Sequence, residues 1–119
     1  MTNIDPSKRI RPSDIINALV NLKQLVFEVT DDCNLSCKYC VFGDMYYGFD
    51  KRESQYMSFE DAKTVIDYLE DIWSKYPTRA VEQHTYISFY GGEPLLNFQL
   101  IKQIIEYVES KHLSRYIRL

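Results

Sequence analysis

No apolar run in this sequence approaches the roughly 20 residues that carry a helix across a bilayer. Its opening residues, MTNIDPSKRIRPSD, lack the apolar centre of a secretory signal. A cytoplasmic location and no membrane partner are therefore expected. Neither sign of charge is in large excess: 14 basic and 17 acidic residues leave a net charge of -3. Nothing in that balance asks for a nucleic-acid partner. No segment repeats, and no tract is of low complexity. Cysteine is scarce: there are three, and none follows position 40. An odd, tightly clustered set does not make a disulfide framework. In a reducing compartment such thiols are suited to binding metal or to chemistry.

What remains is the composition of one globular domain. The chain has 119 residues, 45% hydrophobic and 26% charged, with aromatics at 14%, mostly ten tyrosines. A chain of this length buries roughly two-thirds of the surface its unfolded form exposes, so a core forms without disulfides.

Residues 1–12, with Pro6 and Pro12, read as a polar, extended lead-in. Ser13 is placed to cap a short helix with Ile15, Ile16, Leu19, Val20 and Leu22 apolar. The run Leu25–Val29 predicts a strand with Glu28 inside it. The cysteine segment after it has no periodicity and reads as a loop, as does 43–57. Ser58 and Asp61 resemble a capping box at the start of a long helix. Its buried stripe is expected to be Phe59, Ala62, Val65, Ile66, Leu69, Ile72, Trp73 and Tyr76, with Pro77 marking its end.

Thr85–Tyr90 predicts a second strand, which runs straight into Gly91-Gly92-Glu93-Pro94. Asn97 is placed to cap a further helix with Phe98, Ile101, Ile104, Ile105 and Val108 as its stripe. Tyr116–Leu119 opens a third strand. Strands that alternate with amphipathic helices imply parallel pairing and right-handed crossovers. In such sheets ligand sites form at the carboxyl ends of the strands. The cysteine loop and the GGEP turn both stand at such ends, so they are expected side by side.

The cysteines are spaced C-x3-C-x2-C, at Cys33, Cys37 and Cys40. A structural zinc site wants four protein ligands, and the fourth would come from remote His84, His112 or a carboxylate. A complete ferredoxin-type cluster wants four cysteines. Three fit best where one metal position stays open, as in a 4Fe–4S cluster whose fourth iron takes a substrate or cofactor. A zinc-binding interaction domain and a non-catalytic iron–sulfur module or electron carrier remain as alternatives.

Cys33-Asn34-Leu35-Ser36-Cys37-Lys38-Tyr39-Cys40 resembles the signature of the radical S-adenosylmethionine (SAM) enzymes, including the aromatic Tyr39 before the third cysteine. Gly91-Gly92-Glu93-Pro94 after the second strand is similar to a second motif of that family. Phe27-Glu28-Val29-Thr30 leading into Cys33-Asn34-Leu35 is similar to one branch, the peptide-modifying maturases, including those with a C-terminal SPASM cluster domain.

The resemblance implies an α/β fold: the parallel βαβα portion of a partial (β/α)6 radical SAM barrel, truncated relative to the family. It makes 1–24 a lead-in with a short helix and 25–119 the N-terminal part of the radical SAM domain. Cys33, Cys37 and Cys40 would bind three irons of the cluster, and the methionine moiety of SAM would chelate the fourth. Tyr39 would lie near the adenine. Gly91, Gly92, Glu93 and Pro94 would line the methionine end, with Glu93 meeting its amino group. One electron, supplied by an external donor, would cleave SAM to methionine and a 5′-deoxyadenosyl radical that takes hydrogen from a peptide or protein substrate. No catalytic residue beyond the cluster ligands is implied.

Each residue also has a plainer reading. GGEP alone is an ordinary turn, with Gly-Gly for a reversal and Pro before a helix. Glu28 faces a barrel lumen or an exposed edge, or makes a structural hydrogen bond. Ser88 and Tyr90 point inward before GGEP, or Tyr90 is core. Tyr46 and Tyr47 shield the cluster or, more plainly, belong to a surface-packed loop, the histidines are structural or solvated, and Lys51-Arg52 is solvated charge. An unpaired sheet edge would invite self-association.

Overall fold

The computed structural model describes residues 9–42, 52–76, 84–113 and 115–119. Its elements in chain order are α1 (Pro12–Val20), β1 (Gln24–Thr30), α2 (Phe59–Lys75), β2 (His84–Gly91), a 3-10 turn (Pro94–Asn97), α3 (Phe98–Ser110) and β3 (Tyr116–Arg118). Tyr46, Tyr47, Lys51 and Pro77 lie outside the described residues.

The three strands form one parallel sheet in the order β1-β2-β3. This is the α/β arrangement expected from the alternation of strand and helix patterns. Alternate residues of the strands divide cleanly. Phe27, Val29, Thr85 and Ile87 are buried on one face. Val26, Tyr86 and Tyr90 are exposed on the other. Ser88 and Glu28 lie on that second face too, and Ser88 Oγ accepts from Gln24 Nε2 at 3.0 Å. So Tyr90 is not core.

The helices cover the first face. Ala62 and Ile66 of α2 and Leu100, Ile101, Ile104 and Val108 of α3 pack with Phe27, Val29 and Ile87. A second cluster joins Val20 of α1 to Leu69, Ile72 and Trp73 of α2. The burial of Phe27, Val29 and Ile104, each a side chain worth roughly 1.5–3 kcal/mol against exposure, drives this layering. The expected stripes were a little too wide. Val65, Tyr76, Phe98 and Ile15 are exposed.

α1 begins at Pro12 rather than after a Ser13 cap. Proline suits a first helical position because no N–H is needed there. The Asp14 carboxylate accepts the Arg11 N–H at 2.8 Å and closes the helix start. The other end is held by two side chains from afar. Trp73 Nε1 donates to the Leu19 carbonyl at 3.0 Å, and Arg115 donates to the Val20 carbonyl. Arg115 is buried, its guanidinium lies 4.5 Å from the Trp73 ring centroid, and it also reaches Thr85 Oγ1 at 3.3 Å. A cation at a helix C-terminus satisfies open carbonyls and complements the dipole. Desolvation lowers the Arg115 pKa from its usual value.

At the start of α2, Ser58 Oγ accepts the Asp61 N–H at 3.2 Å and donates to the Asp61 carboxylate at 2.6 Å. The expected reciprocal box is therefore only half formed. The Asp61 carboxylate takes the Ser58 hydroxyl and not the Ser58 N–H.

α2 and α3 are joined outside the core by a polar cluster. Asp67 accepts from Lys63 at 2.8 Å, and from Lys111 Nζ and the Tyr107 hydroxyl. Hydrogen bonds from Lys111, Lys63 and Tyr107 hold the Asp67 carboxyl well below the usual carboxylate range. The unfolded chain therefore binds a proton at Asp67 in a range where the folded chain does not. The stabilisation is present above the ordinary carboxylate value and is lost as pH falls toward the lowered one. Denaturation as a function of pH should show Asp67→Asn less stable than the parent near neutrality. The gap should narrow below about pH 4. Equal stabilities at neutral pH would refute a structural role for the cluster.

One irregularity places the loop that matters. Glu28 pairs with Tyr90, yet Thr30 pairs with Gly91, so Val29 is an extra residue in β1. Its carbonyl is turned away to accept the Met57 N–H at 3.0 Å and Asn97 Nδ2 at 2.8 Å. A bulge of this kind ends strand pairing and re-aims the chain beyond it. Here the re-aimed segment is Asp31 and the three cysteines. Asn97, expected as a helix cap, makes no capping bond, because its amide is committed to Val29 and, at 3.4 Å, to the Met57 carbonyl.

Candidate cofactor site

The cysteine segment leaves the carboxyl end of β1 between two supports. On one side lies the stretch before α2. Asp31 N–H donates to the Gln55 carbonyl at 3.2 Å, and the Asp31 carboxylate accepts the Glu53 N–H at 2.8 Å. Thr30 Oγ1 donates to the Gln55 carbonyl at 2.7 Å and accepts the Asp32 N–H at 3.1 Å. The Asp32 carboxylate accepts the Tyr56 hydroxyl at 2.8 Å and the Cys33 N–H at 2.9 Å. Those bonds, Tyr56 first, hold the Asp32 carboxyl below its ordinary value and raise the Tyr56 phenol. An ionised Asp32 thus orients the amide of the first cysteine.

On the other side lies the end of β2. Gly92 N–H donates to the Thr30 carbonyl at 3.0 Å, and Glu93 N–H to the Asp32 carbonyl at 2.9 Å. This contact explains both glycines. A Cβ on Gly91 would stand 2.1 Å from the Thr30 oxygen, and one on Gly92 would stand 2.1 Å from the Asp32 oxygen. Gly91 also has φ near +155°, a backbone state that side chains disfavour. What these glycines admit is thus a close approach of the chain to itself.

The two motifs meet, as expected from their places at adjacent strand ends. Cys33, Cys37, Cys40, Tyr39, Gly91 and Gly92 line one pocket of about 330 Å³, together with Leu35, Val41, Phe42, Tyr90 and Arg52. All three cysteines are free thiols, each half-buried. The Cys40 N–H donates to the Cys37 carbonyl at 3.1 Å, which folds the last part of the loop into a turn. No three of His, Cys, Asp and Glu among the described residues stand close enough to hold a single metal ion. Three free thiols that line one pocket are the donor chemistry that an iron–sulfur cage takes. Tyr39 is 82% exposed at the pocket mouth, and its pKa is raised, chiefly by a hydrogen bond with Cys37.

Glu93 and Pro94 do not line the pocket. Glu93 Oε1 accepts the Leu95 N–H at 3.1 Å and caps the 3-10 turn, with Pro94 at its first position. A carboxylate has about four lone-pair sites, so this cap leaves acceptor capacity for an ammonium group.

Arg52 is the clearest departure from the expectation of solvated charge. Its Nη2 donates to Cys40 Sγ at 3.0 Å. No periodicity in the loop between them signals that contact. Asp31, Asp32 and Tyr56 were likewise not singled out, and nothing in their spacing marks them.

Among the described residues, no helix is long and apolar enough to cross a membrane. The sequence is similar to an uncharacterized protein of Methanocaldococcus jannaschii, 37% identical over 91 residues, which are 76% of this chain and 26% of that protein. It is also similar to a radical SAM cyclopropyl synthase of Paramaledivibacter caminithermalis, 31% identical over 97 residues, which are 76% of this chain and 20% of that protein. The chain thus spans about a quarter or less of these relatives. The family profile described as the Radical SAM superfamily matches residues 27–119, from the middle of β1 through the cysteine loop, the Gly91-Gly92 contact and β3. The chain belongs to the radical SAM superfamily.

Proposed function

We propose that this chain is the cluster- and SAM-binding part of an enzyme that modifies a peptide or protein, with Cys33, Cys37 and Cys40 as the cluster ligands. The superfamily works with a 4Fe–4S cluster and SAM. When bound, they supply a carbon radical after one-electron cleavage of SAM. The observation that carries the reading is the single pocket shared by the three cysteines and the Gly91-Gly92 turn.

The chain's own residues then have separable tasks. The cysteine thiolates bind three irons. Asp32 orients the Cys33 amide, and the Thr30–Asp32 backbone fixes where the loop departs. Gly92 and Glu93 hold the second strand end against it, Pro94 sets the adjoining turn, and the spare acceptor capacity of Glu93 would meet the amino group of SAM. Tyr39 lies at the pocket mouth, where the adenine would stack or be flanked. Val41 and Phe42 contribute apolar surface to the pocket wall.

The peptide-maturase branch rests on the run Phe27–Thr30 leading into Cys33–Leu35. Similarity to a protein named as a radical SAM cyclopropyl synthase supports a biosynthetic reaction over simple electron carriage. The enzyme needs an external one-electron donor.

The test is anaerobic reconstitution with iron and sulfide, then EPR of the reduced chain with and without SAM. Iron and sulfide bound in equal amounts, with a reduced signal that SAM alters, are the expected results. A signal indifferent to SAM would leave an iron–sulfur module, and bound zinc without sulfide would leave an interaction domain.

A further inference from the structure

Arg52 sits at the pocket in an unusual state. Its Nη2 donates to Cys40 Sγ at 3.0 Å. Its guanidinium carbon lies 5.2 Å from the centroid of the Phe42 ring. Its Nε is buried and has no hydrogen-bond partner among the described residues. Stacking on an aromatic face holds a guanidinium in place while its charge is kept. An unpartnered buried donor is costly, and the cost is relieved when an anion occupies the space beside it. Both features suit a residue that waits for a negatively charged guest at the cysteines.

The sulfurs are not treated alike. Cys33 Sγ accepts a neutral donor, the Leu35 N–H, at 3.4 Å. Cys40 Sγ takes a shorter bond from a full cation. Charge-assisted bonds of this type are roughly twice as strong as neutral ones.

We propose that Arg52 raises the reduction potential of the cluster held by Cys33, Cys37 and Cys40, through its hydrogen bond to the Cys40 sulfur and its fixed positive charge. The inference rests on the cluster reading above and deepens it. Reduction transfers one electron from the external donor to the cluster, and no bond is made or broken. The cluster gains one negative charge. A cation and an N–H donor at a ligand sulfur stabilise the more negative form, which moves the equilibrium toward reduction. Arg52 is thus a positioning and tuning residue, since it touches a ligand and not the reacting atoms.

The experiment is a potentiometric titration of the reconstituted chain, monitored by EPR, on the parent, Arg52→Gln and Arg52→Lys. Iron content and circular dichroism are measured on each. Arg52→Gln should make reduction about tenfold less favourable, a fall of about 59 mV for a one-electron couple. Arg52→Lys, which keeps the charge and loses the planar fork, should fall between the two. An unchanged or higher potential in Arg52→Gln, at equal iron content, would overturn the proposal and leave the cluster reading intact. Should Arg52→Gln load iron poorly, the parent and Arg52→Lys still make the comparison, and equal potentials there count against the proposal. A parent chain that takes up no iron and sulfide would bring down the cluster reading itself, and this inference with it.

Discussion

Gly91→Ala is expected to unfold the junction between the two strand ends and to abolish cluster loading. The added methyl would stand 2.1 Å from the Thr30 carbonyl oxygen, with the Thr30 carbonyl carbon at 3.2 Å. These are backbone atoms, so no rotamer change relieves the overlap. The residue also sits near φ +155°, where a Cβ adds strain. Overpacking and backbone strain together are worth about 3 kcal/mol or more. Gly92→Ala should behave alike, since its methyl would meet the Asp32 oxygen at 2.1 Å and the Asp31 oxygen at 2.8 Å. Urea denaturation read by circular dichroism gives the stability, and bound iron gives the loading. Parent-like stability with lost loading would show that the glycines serve the ligand alone. The geometry forecasts the loss of both.

Replacing Cys33, Cys37 or Cys40 by alanine should give the opposite pattern. Each removes one of the three proposed ligands, so iron and sulfide uptake should fall to background in every single variant. Cofactor-free stability should change by no more than about 0.5 kcal/mol, as for a substitution away from the core. The thiols are only half-buried, and none is bridged by a disulfide. Cys40→Ala adds a further signature, because it leaves the Arg52 guanidinium without its sulfur. A variant that keeps full iron would show that its cysteine is not a ligand. Taken with the glycine series, these variants separate residues that build the pocket from residues that bind in it.

How far the sequence disclosed this arrangement depends on the range of the interaction involved. β1 and β2 were legible because their alternation reports burial on one face, which is a local property of a strand. Helical periodicity likewise found α2 and α3, and overshot at Val65, Tyr76 and Phe98. The meeting of Cys33–Cys40 with Gly91–Gly92 came from parallel topology, which puts consecutive strand ends together. Asn97 stands at the N-cap of α3 as expected, but its side chain bonds Val29 and Met57, partners too distant in sequence to be foreseen. Arg52 was misread for a related reason. A charged residue in an aperiodic loop looks solvated until the fold shows what it touches. The glycines were expected to line the methionine end or to make a turn, and what they admit in the structure is the backbone of Thr30 and Asp32.

The extra residue at Val29 has a consequence for local opening. Its carbonyl serves the entry to α2 and the end of the 3-10 turn, while the carbonyls of Thr30 and Asp32 serve Gly92 and Glu93. Amide protons of Asp31, Asp32, Met57, Gly92 and Glu93, drawn from three separate stretches of chain, therefore share one set of supports. They should exchange with solvent as a single cooperative unit, at a rate distinct from that of the α2 and α3 interiors. A guest that binds only the closed junction would slow all five together. Occupancy of the pocket would then be written into the exchange of Met57, at the entry to α2, an amide that never touches the guest.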